Sequence, residues 1–389
     1  MQTQEEEFRL IYNQFLAWKA SQKGQKDGYE YERSFVELCK SMNKELFSLA
    51  TPVIDKLPKK KVITSFGKVQ VNKSHCLSAR AGKKGFQTSA YLQEVACFVA
   101  QSVPFDEGSA ILAKIGHISL TDKQIERIGH HYGEMLETQI VEESAAKSPD
   151  ASLHYAMMDG SMVFIKGKEN GWKELKLGRV FADTSAYQEK KRGVIKESDY
   201  VAHLGNSEDF LNKFEHLISS KTNLVAISDG ARWIWEYWDT FHPQATQILD
   251  FFHVMEKIGL WATLILKEEK ERKSWMKCCE ELLLNNEVGE IIVQIEAVVC
   301  VGDLLKKQKE LLTYLLNNQR RMQYKTYKDK GLFIGSGAIE AANKEVIQKR
   351  FKLSGQRWTK KGLQQIANLR TAQKSKKWHN VLNLIKMAA

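Results

Sequence analysis

Two strongly apolar, strand-like segments of this chain each carry an aspartate followed directly by a glycine, and this pair constrains the fold more than any other feature. The first is Tyr155-Ala156-Met157-Met158-Asp159-Gly160-Ser161-Met162-Val163, and the second is Leu224-Val225-Ala226-Ile227-Ser228-Asp229-Gly230. Apolar runs of this length read as strands buried in a sheet, where a carboxylate is costly unless something pairs with it. Asp-Gly is also a common turn pair, and an Asp at a strand end often starts a turn or caps the next helix. For one such acid the turn or cap reading is the stronger; two in matched context bring a shared functional purpose level with it.

The surrounding pattern gives these strands an order. Tyr155–Ile165, Leu175–Phe181 and, more weakly, Tyr200–Leu204 read as strands, Ser207–Ser219 as a helix, and Leu224–Ser228 as a further strand. Ala231–Trp238 follows as a helix and Thr246–Leu249 as a short strand. Residues 252–329 are almost wholly helical, with turn signals at Asn285-Asn286 and Gly302. A last helical segment runs from about Gly337 to Lys349, then a basic turn, then a helix near Lys361–Gln373.

Upstream, residues 5–58 repeat apolar positions at helical spacing (Phe8, Ile11, Phe15, Trp18; Phe35, Leu38, Met42, Phe47). Val62 to Val71, preceded by Lys59-Lys60-Lys61, read as a hairpin around Gly67. Ala90–Leu136 is helical with breaks at Val103-Pro104 and Gly116–Ser119. Thr121 and Gln124 have capping-box spacing, which gives a helix, turn, helix arrangement: either a DNA-reading element or two packed helices. Residues 142–151 have linker composition. The expected division is therefore a mainly helical N-terminal region over 1–150, a first part of a mixed α/β domain over 151–253, a helical insertion over 254–330, and a closing helical segment over 331–389.

Composition narrows the function. A chain of 389 residues exceeds one ordinary core, and 43% hydrophobic residues with only five prolines suits packed domains. The formal charge of +11, from 58 Lys and Arg against 47 Asp and Glu, favours a polyanionic partner. Six cysteines without a CxxC pair indicate neither a zinc ribbon nor a disulfide scaffold. The acidic start MQTQEEEFRL has no signal-peptide pattern, and no run of 18 apolar residues occurs, so a cytoplasmic protein is expected. The string Pro58 to Val62 looks like a nuclear import signal, but such strings are frequent in basic proteins.

A third acid joins the pair. Glu340 lies in Gly335-Ser336-Gly337-Ala338-Ile339-Glu340-Ala341-Ala342-Asn343-Lys344, where Ser336 can cap a helix and small residues allow close packing on a sheet. The alternative is a surface ion pair between Glu340 and Lys344, four residues apart. Three carboxylates suit a pair of divalent ions about 4 Å apart that drive in-line phosphodiester displacement. Hard Mg²⁺, with Mn²⁺ as substitute, prefers such oxygen ligands.

The order of DG in a first strand, SDG after a fourth and a late GSGAIE helix resembles the DDE transposases of bacterial insertion sequences, most closely the ISKra-type group related to the Mutator-like superfamily. Ile248-Leu249-Asp250-Phe251-Phe252-His253 resembles their DxxH motif. The segment from Ser228 to Trp235 resembles the second-Asp segment, and Lys352-Leu353-Ser354-Gly355-Gln356-Arg357-Trp358 the SGxRW segment. The resemblance covers about residues 60–375. It implies an RNase H-like catalytic domain interrupted by an all-helical insertion, with Asp159, Asp229 and Glu340 as metal-holding catalytic acids. It also implies Mg²⁺-dependent nicking at terminal inverted repeats, followed by joining of the freed 3′-hydroxyl to target DNA.

His253 then has two readings: it orients DNA or supports the metal site, or it is an ordinary histidine in a helix that Asp250 caps. Relatives often carry paired cysteines near the N-terminal hairpin, whereas the stretch Ser74–Phe86 holds only Cys76. The basic cluster Lys344, Lys349, Arg350, Lys352, Arg357, Lys360, Lys361 and Arg370, with Trp358 among them, is expected to contact DNA. The partners expected are double-stranded DNA and a second copy of the chain, since two element ends must be paired. A DNA-binding relic that no longer cuts, or a stand-alone nuclease, are the competing functions.

Overall fold

The computed structural model describes residues 2–25, 27–51, 53, 56–73, 86–142, 150–189 and 192–388. The stretch around Cys76 and most of the expected linker at 142–151 lie outside them. The chain forms two compact units, residues 1–137 with 377–389 and residues 138–376.

The first unit is built from helices around a small hairpin. α1 (Gln2–Ser21) and α2 (Gly28–Leu49) meet through Trp18, whose ring packs on Phe35 at 4.9 Å and whose Nε1 donates to Ser34 Oγ. β1 (Lys59–Thr64) and β2 (Gly67–Asn72) pair antiparallel, and their alternation buries Val62, Val69 and Val71 against Phe47. α3 (Ala90–Ser102), α4 (Phe105–Lys114) and α5 (Asp122–Glu142) follow. The capping box at α5 forms as its spacing predicts: Gln124 N donates to Thr121 Oγ1 (3.2 Å) and Thr121 N to Gln124 Oε1 (3.0 Å).

The second unit holds a five-stranded mixed sheet. β3 (Asp150–Ile165) pairs antiparallel with β4 (Gly171–Ala182). A small hairpin, β5 (Ala186–Glu189) with β6 (Arg192–Ile195), intervenes before β7 (Asp199–Leu204), which pairs antiparallel with β4. After α6 (Ser207–Ile218) the chain returns as β8 (Lys221–Ser228), parallel to β3. α7 (Arg232–Phe241) then leads to β9 (Thr246–Leu249), parallel to β8. The sheet order is β7-β4-β3-β8-β9, so β3 is central. The β5–β6 hairpin was not foreseen: its sequence is polar and charged, without the apolar alternation that marks a strand.

Burial explains the layering. Tyr155, Met157, Leu177, Val225 and Ile227 from the strands and Phe210, Phe214 and Trp238 from the helices are buried. Gly178 on β4 makes room for Phe214, since a Cβ there would stand 2.4 Å from that ring.

α8 (Phe251–Ile265), α9 (Glu269–Leu284), α10 (Val288–Glu296), α11 (Gly302–Asn318) and α12 (Tyr324–Asp329) form the expected helical stretch. α13 (Gly337–Ala342) continues into a π-helical turn, Asn343–Gln348, and α14 (Lys349–Phe351). α15 (Lys360–Lys374) then covers the edge of the sheet. Its Gln364 accepts from Leu204 N (2.8 Å) and donates to Ala202 O (2.9 Å), and Ser375 Oγ accepts from Tyr200 N (2.9 Å). These side chains satisfy the edge strand β7, which would otherwise offer open backbone groups.

The chain ends in α16 (Trp378–Ala388). α16 packs in the first unit, apart from the helices that precede it in the expected stretch 331–389: Trp378 Nε1 donates to Glu94 Oε1 (2.7 Å) and its ring meets Phe98 edge-on. Among the described residues no helix is long and apolar enough to cross a membrane.

Candidate active site

The strand register brings the two aspartates together. β3 and β8 are parallel, with Met157 opposite Ile227, and Asp159 and Asp229 each lie two residues further on. Two residues along a strand return the side chain to the same face, and neighbouring strands run about 4.8 Å apart. Asp159 lies inside β3 and Asp229 directly follows the last residue of β8, so the register brings the two acids to neighbouring positions where the β3–β8 pairing ends.

Their Asp-Gly pairs have different physical causes. Gly230 has φ +99°, and a Cβ there would meet the Tyr314 ring at 2.8 Å. Gly160 is in extended backbone, and its missing Cβ leaves space for Glu174, whose Oε1 would otherwise lie 2.1 Å away. At Asp229 the turn reading is realised as well: Oδ1 accepts from Ala231 N (3.2 Å) and Ser228 Oγ (3.3 Å). Oδ2 takes no hydrogen bond from the described residues. Tyr314, on α11, donates to Asp229 O (3.1 Å), and burial, followed by the charges of Asp229 and Asp250, raises its phenol pKa.

Glu340 comes to the same sheet on α13. Arg179 of β4, the register partner of Met157, donates from Nη1 to Ala338 O and ties this helix to the sheet. Ser336 holds the position before the helix, but its hydroxyl does not cap it as the sequence suggests. It donates instead to Asp250 Oδ2, which also accepts Ser336 N (2.8 Å). Asp250 is buried and caps α8 by accepting from His253 N through Oδ1 (3.0 Å). One carboxylate thus fastens the starts of two helices. Glu340 is exposed, accepts from Ser336 Oγ (3.4 Å), and makes no ion pair with Lys344 among the described residues.

The three acids act on one another. Burial pushes the Asp159 carboxyl above the usual carboxylate range; bonds from Gly160 N (2.6 Å) and the Asn343 amide pull it back, and the like charges of Asp229 and Glu340 push it up again. Asp159 and Glu340 line one cleft of about 530 Å³ with Ser161, Asn343 and Lys344, and Asp229 is not on its wall. Among the described residues no three of His, Cys, Asp or Glu form a preassembled metal cage.

Asn343, which no motif in the sequence marks, is the side chain that grips Asp159 Oδ2. It lies in the π-helical turn, buried, one turn after Glu340 on the same helix face. π-turns widen the backbone and free carbonyls. Here Arg370 of α15 occupies them, donating from Nε to Val346 O (2.6 Å) and from Nη2 to Glu345 O.

His253 Nδ1 lies 3.5 Å from Glu256 on its own helix. The basic cluster divides. Lys344 lines the cleft, and Lys352, exposed, reaches Ser161 Oγ at 3.4 Å on its rim. Lys349 pairs with Glu345 and Lys360 with Glu169. Arg357 and Lys361 are exposed, with Arg357 over the Phe164 ring at 5.8 Å. Three members are corrected to the interior: Arg350 is fully buried, Arg370 is buried on the π-turn, and Trp358 is 6% exposed. Trp358 packs on Phe351 and Arg350, and its backbone bridges to the end of β3. Burial, then the neighbouring Arg370, draws the Arg350 guanidinium down to about 9. These side chains hold the fold and are not at the surface.

No family model matches this chain. It is similar to a Streptococcus gallolyticus protein named "UPF0236 protein in vanSb 3'region", 24% identical over 373 residues that cover 88% of this chain and 79% of that one.

Proposed function

We propose that this protein is a metal-dependent DNA nuclease and strand transferase of the DDE type, with Asp159, Asp229 and Glu340 as its acids. The observation that carries the reading is the parallel register of β3 and β8, which sets Asp159 beside Asp229 while Glu340 lies near enough to raise the Asp159 pKa. Three antiparallel strands followed by two parallel ones, with the first in the centre, support an RNase H-like sheet. The helices α8 to α12 between β9 and α13 support a helical insertion. The 24% similarity spans most of both chains but its name carries no activity.

The donor chemistry fits Mg²⁺. All three candidate ligands are carboxylates, and an Asp159 carboxyl held up by burial and like charge is one that a cation relieves. Bound Mg²⁺ would supply charge neutralisation at the phosphate and activation of the attacking oxygen. The protein's own groups do the rest: Asn343 and Gly160 N fix the Asp159 carboxylate, Asp250 fixes the helix that carries Glu340, and Lys344 and Lys352 bind phosphate oxygens at the cleft. In the first reaction a water oxygen forms the new bond to phosphorus and the 3′-oxygen leaves with a proton. In the second, that 3′-hydroxyl displaces a 3′-oxygen of target DNA. The partner is double-stranded DNA, held by at least two copies of the chain.

The test is cleavage of end-labelled duplexes from the DNA flanking the coding region. Mg²⁺ and Mn²⁺ should support nicking, and Ca²⁺ should permit binding with little cutting. Undiminished cutting in a chelator would refute the reading.

A further inference from the structure

A second cavity, of about 730 Å³, opens beside the carboxylate cleft and shares Gly337 and Ala341 with it. Its walls include Tyr187 from β5, Phe252 from α8 and Phe333 from the loop before α13, with Arg179 also lining it. These rings are 42%, 66% and 40% exposed, so three aromatic faces stand open around one space, which is costly in water. The walls are built. Phe333 is fixed on Tyr155 (4.7 Å between ring centroids), and Phe252 lies where a Cβ on Gly335 would come within 2.7 Å of it.

Arg179 makes the cavity more than an apolar dent. It is 6% exposed and lies over the Phe181 and Tyr200 rings. Nε donates to Ser198 Oγ (3.0 Å) and Nη1 to Ala338 O, all neutral acceptors. Among the described residues no carboxylate pairs with it, and Nη2 has no acceptor. A buried cation without a counter-charge is poorly compensated, so an acceptor on whatever fills the space is favoured beside Arg179.

We propose that this cavity receives a single nucleobase turned out of the duplex beside the scissile phosphate, stacked among Phe252, Phe333 and Tyr187, with Arg179 donating to its edge. The inference rests on the DNA-cleaving reading above. The occupant must be flat and aromatic, carry a hydrogen-bond acceptor on its rim, and be joined to a phosphate next door. A nucleotide has that shape, and Gly337 and Ala341 leave no large side chain between phosphate and base. Ring stacking of this kind accepts any base, and an unstacked base costs less to extrude where pairing is already weak.

The experiment measures binding of short duplexes from the DNA flanking the coding region, each with one abasic nucleotide stepped through its terminal positions. Wild type, Phe252→Ala and Tyr187→Ala are compared; both altered side chains are exposed, so folding is retained. At one position wild type should bind the abasic duplex at least as tightly as the intact one. Each variant should bind the intact duplex about tenfold more weakly, the size of a lost base–ring stack, and lose nothing on the abasic duplex. An equal loss on every duplex, or none on any, overturns the inference while leaving DNA binding intact. A change in sedimentation without a change in DNA binding would assign the rings to a second copy and also overturn it. If wild type binds no duplex, the DNA reading itself fails and this inference with it.

Discussion

Removing the Asp250 carboxylate should cost far more than removing His253, although the two share a motif. Asp250 is 1% exposed and accepts three hydrogen bonds: from His253 N, Ser336 N and the Ser336 hydroxyl. Asp250→Ala removes a helix cap worth about 1 kcal/mol and leaves the buried Ser336 N unpaired at roughly 1–3 kcal/mol, while the Ser336 hydroxyl keeps only its long bond to Glu340. The sum is about 2–4 kcal/mol, a large part of the roughly 5–15 kcal/mol that holds an ordinary domain. His253→Ala removes a ring at the helix surface whose partner, Glu256, is mostly exposed, and should cost no more than about 0.5 kcal/mol. Equilibrium urea unfolding followed by tryptophan fluorescence reads both, since Trp233, Trp235 and Trp238 lie on α7 in the same unit. Cleavage should fall in Asp250→Ala even at low temperature, because the start of the Glu340 helix is no longer fastened. A cost below about 1 kcal/mol for Asp250→Ala, or equal costs for the two variants, would refute the reasoning.

Two further outcomes follow from charge. Lys344→Ala and Lys352→Ala should each flatten the dependence of log binding constant on log salt by about one unit. Lys360→Ala should leave that slope unchanged, because Lys360 is held by Glu169 at 3.2 Å. Glu215 accepts from His242 Nε2 (2.9 Å) and Tyr237 OH; burial raises its pKa, but these bonds outweigh it and the net shift is downward. A carboxyl with a lowered folded pKa stabilises above its unfolded pKa of about 4.3 and loses that stability as pH falls further. Glu215→Gln should therefore flatten the acid limb of the stability curve below about pH 4 and leave its slope near pH 7 unchanged, as read by urea unfolding at stepped pH.

Local signals in the sequence were read well, and long-range ones were not. β9 falls on Thr246–Leu249 as expected, and the Thr121–Gln124 capping box forms, because both depend on neighbours within a few residues. Asp159 and Asp229 were legible because acids inside apolar strands violate the local rule for burial. The fate of the basic cluster was not: Arg350 and Arg370 look like surface charge in sequence, and only packing against Trp358 and the π-turn carbonyls sends them inward. Asn343 stands at helical spacing from Glu340, but its grip on Asp159 crosses 184 positions of chain. α16 shows apolar spacing in Val381, Leu384 and Ile385, yet nothing local says that it packs with α3.

The central claim is tested most directly by three isosteric variants, Asp159→Asn, Asp229→Asn and Glu340→Gln, assayed for cleavage of a labelled duplex in Mg²⁺ with binding followed in parallel by gel shift. The amide keeps the shape and removes the charge that holds a hard cation. Each variant should bind DNA nearly as wild type does and fail to cut it. A variant that cuts at the wild-type rate makes its residue a turn or surface acid, and wild-type cutting by all three would contradict the assignment of this site.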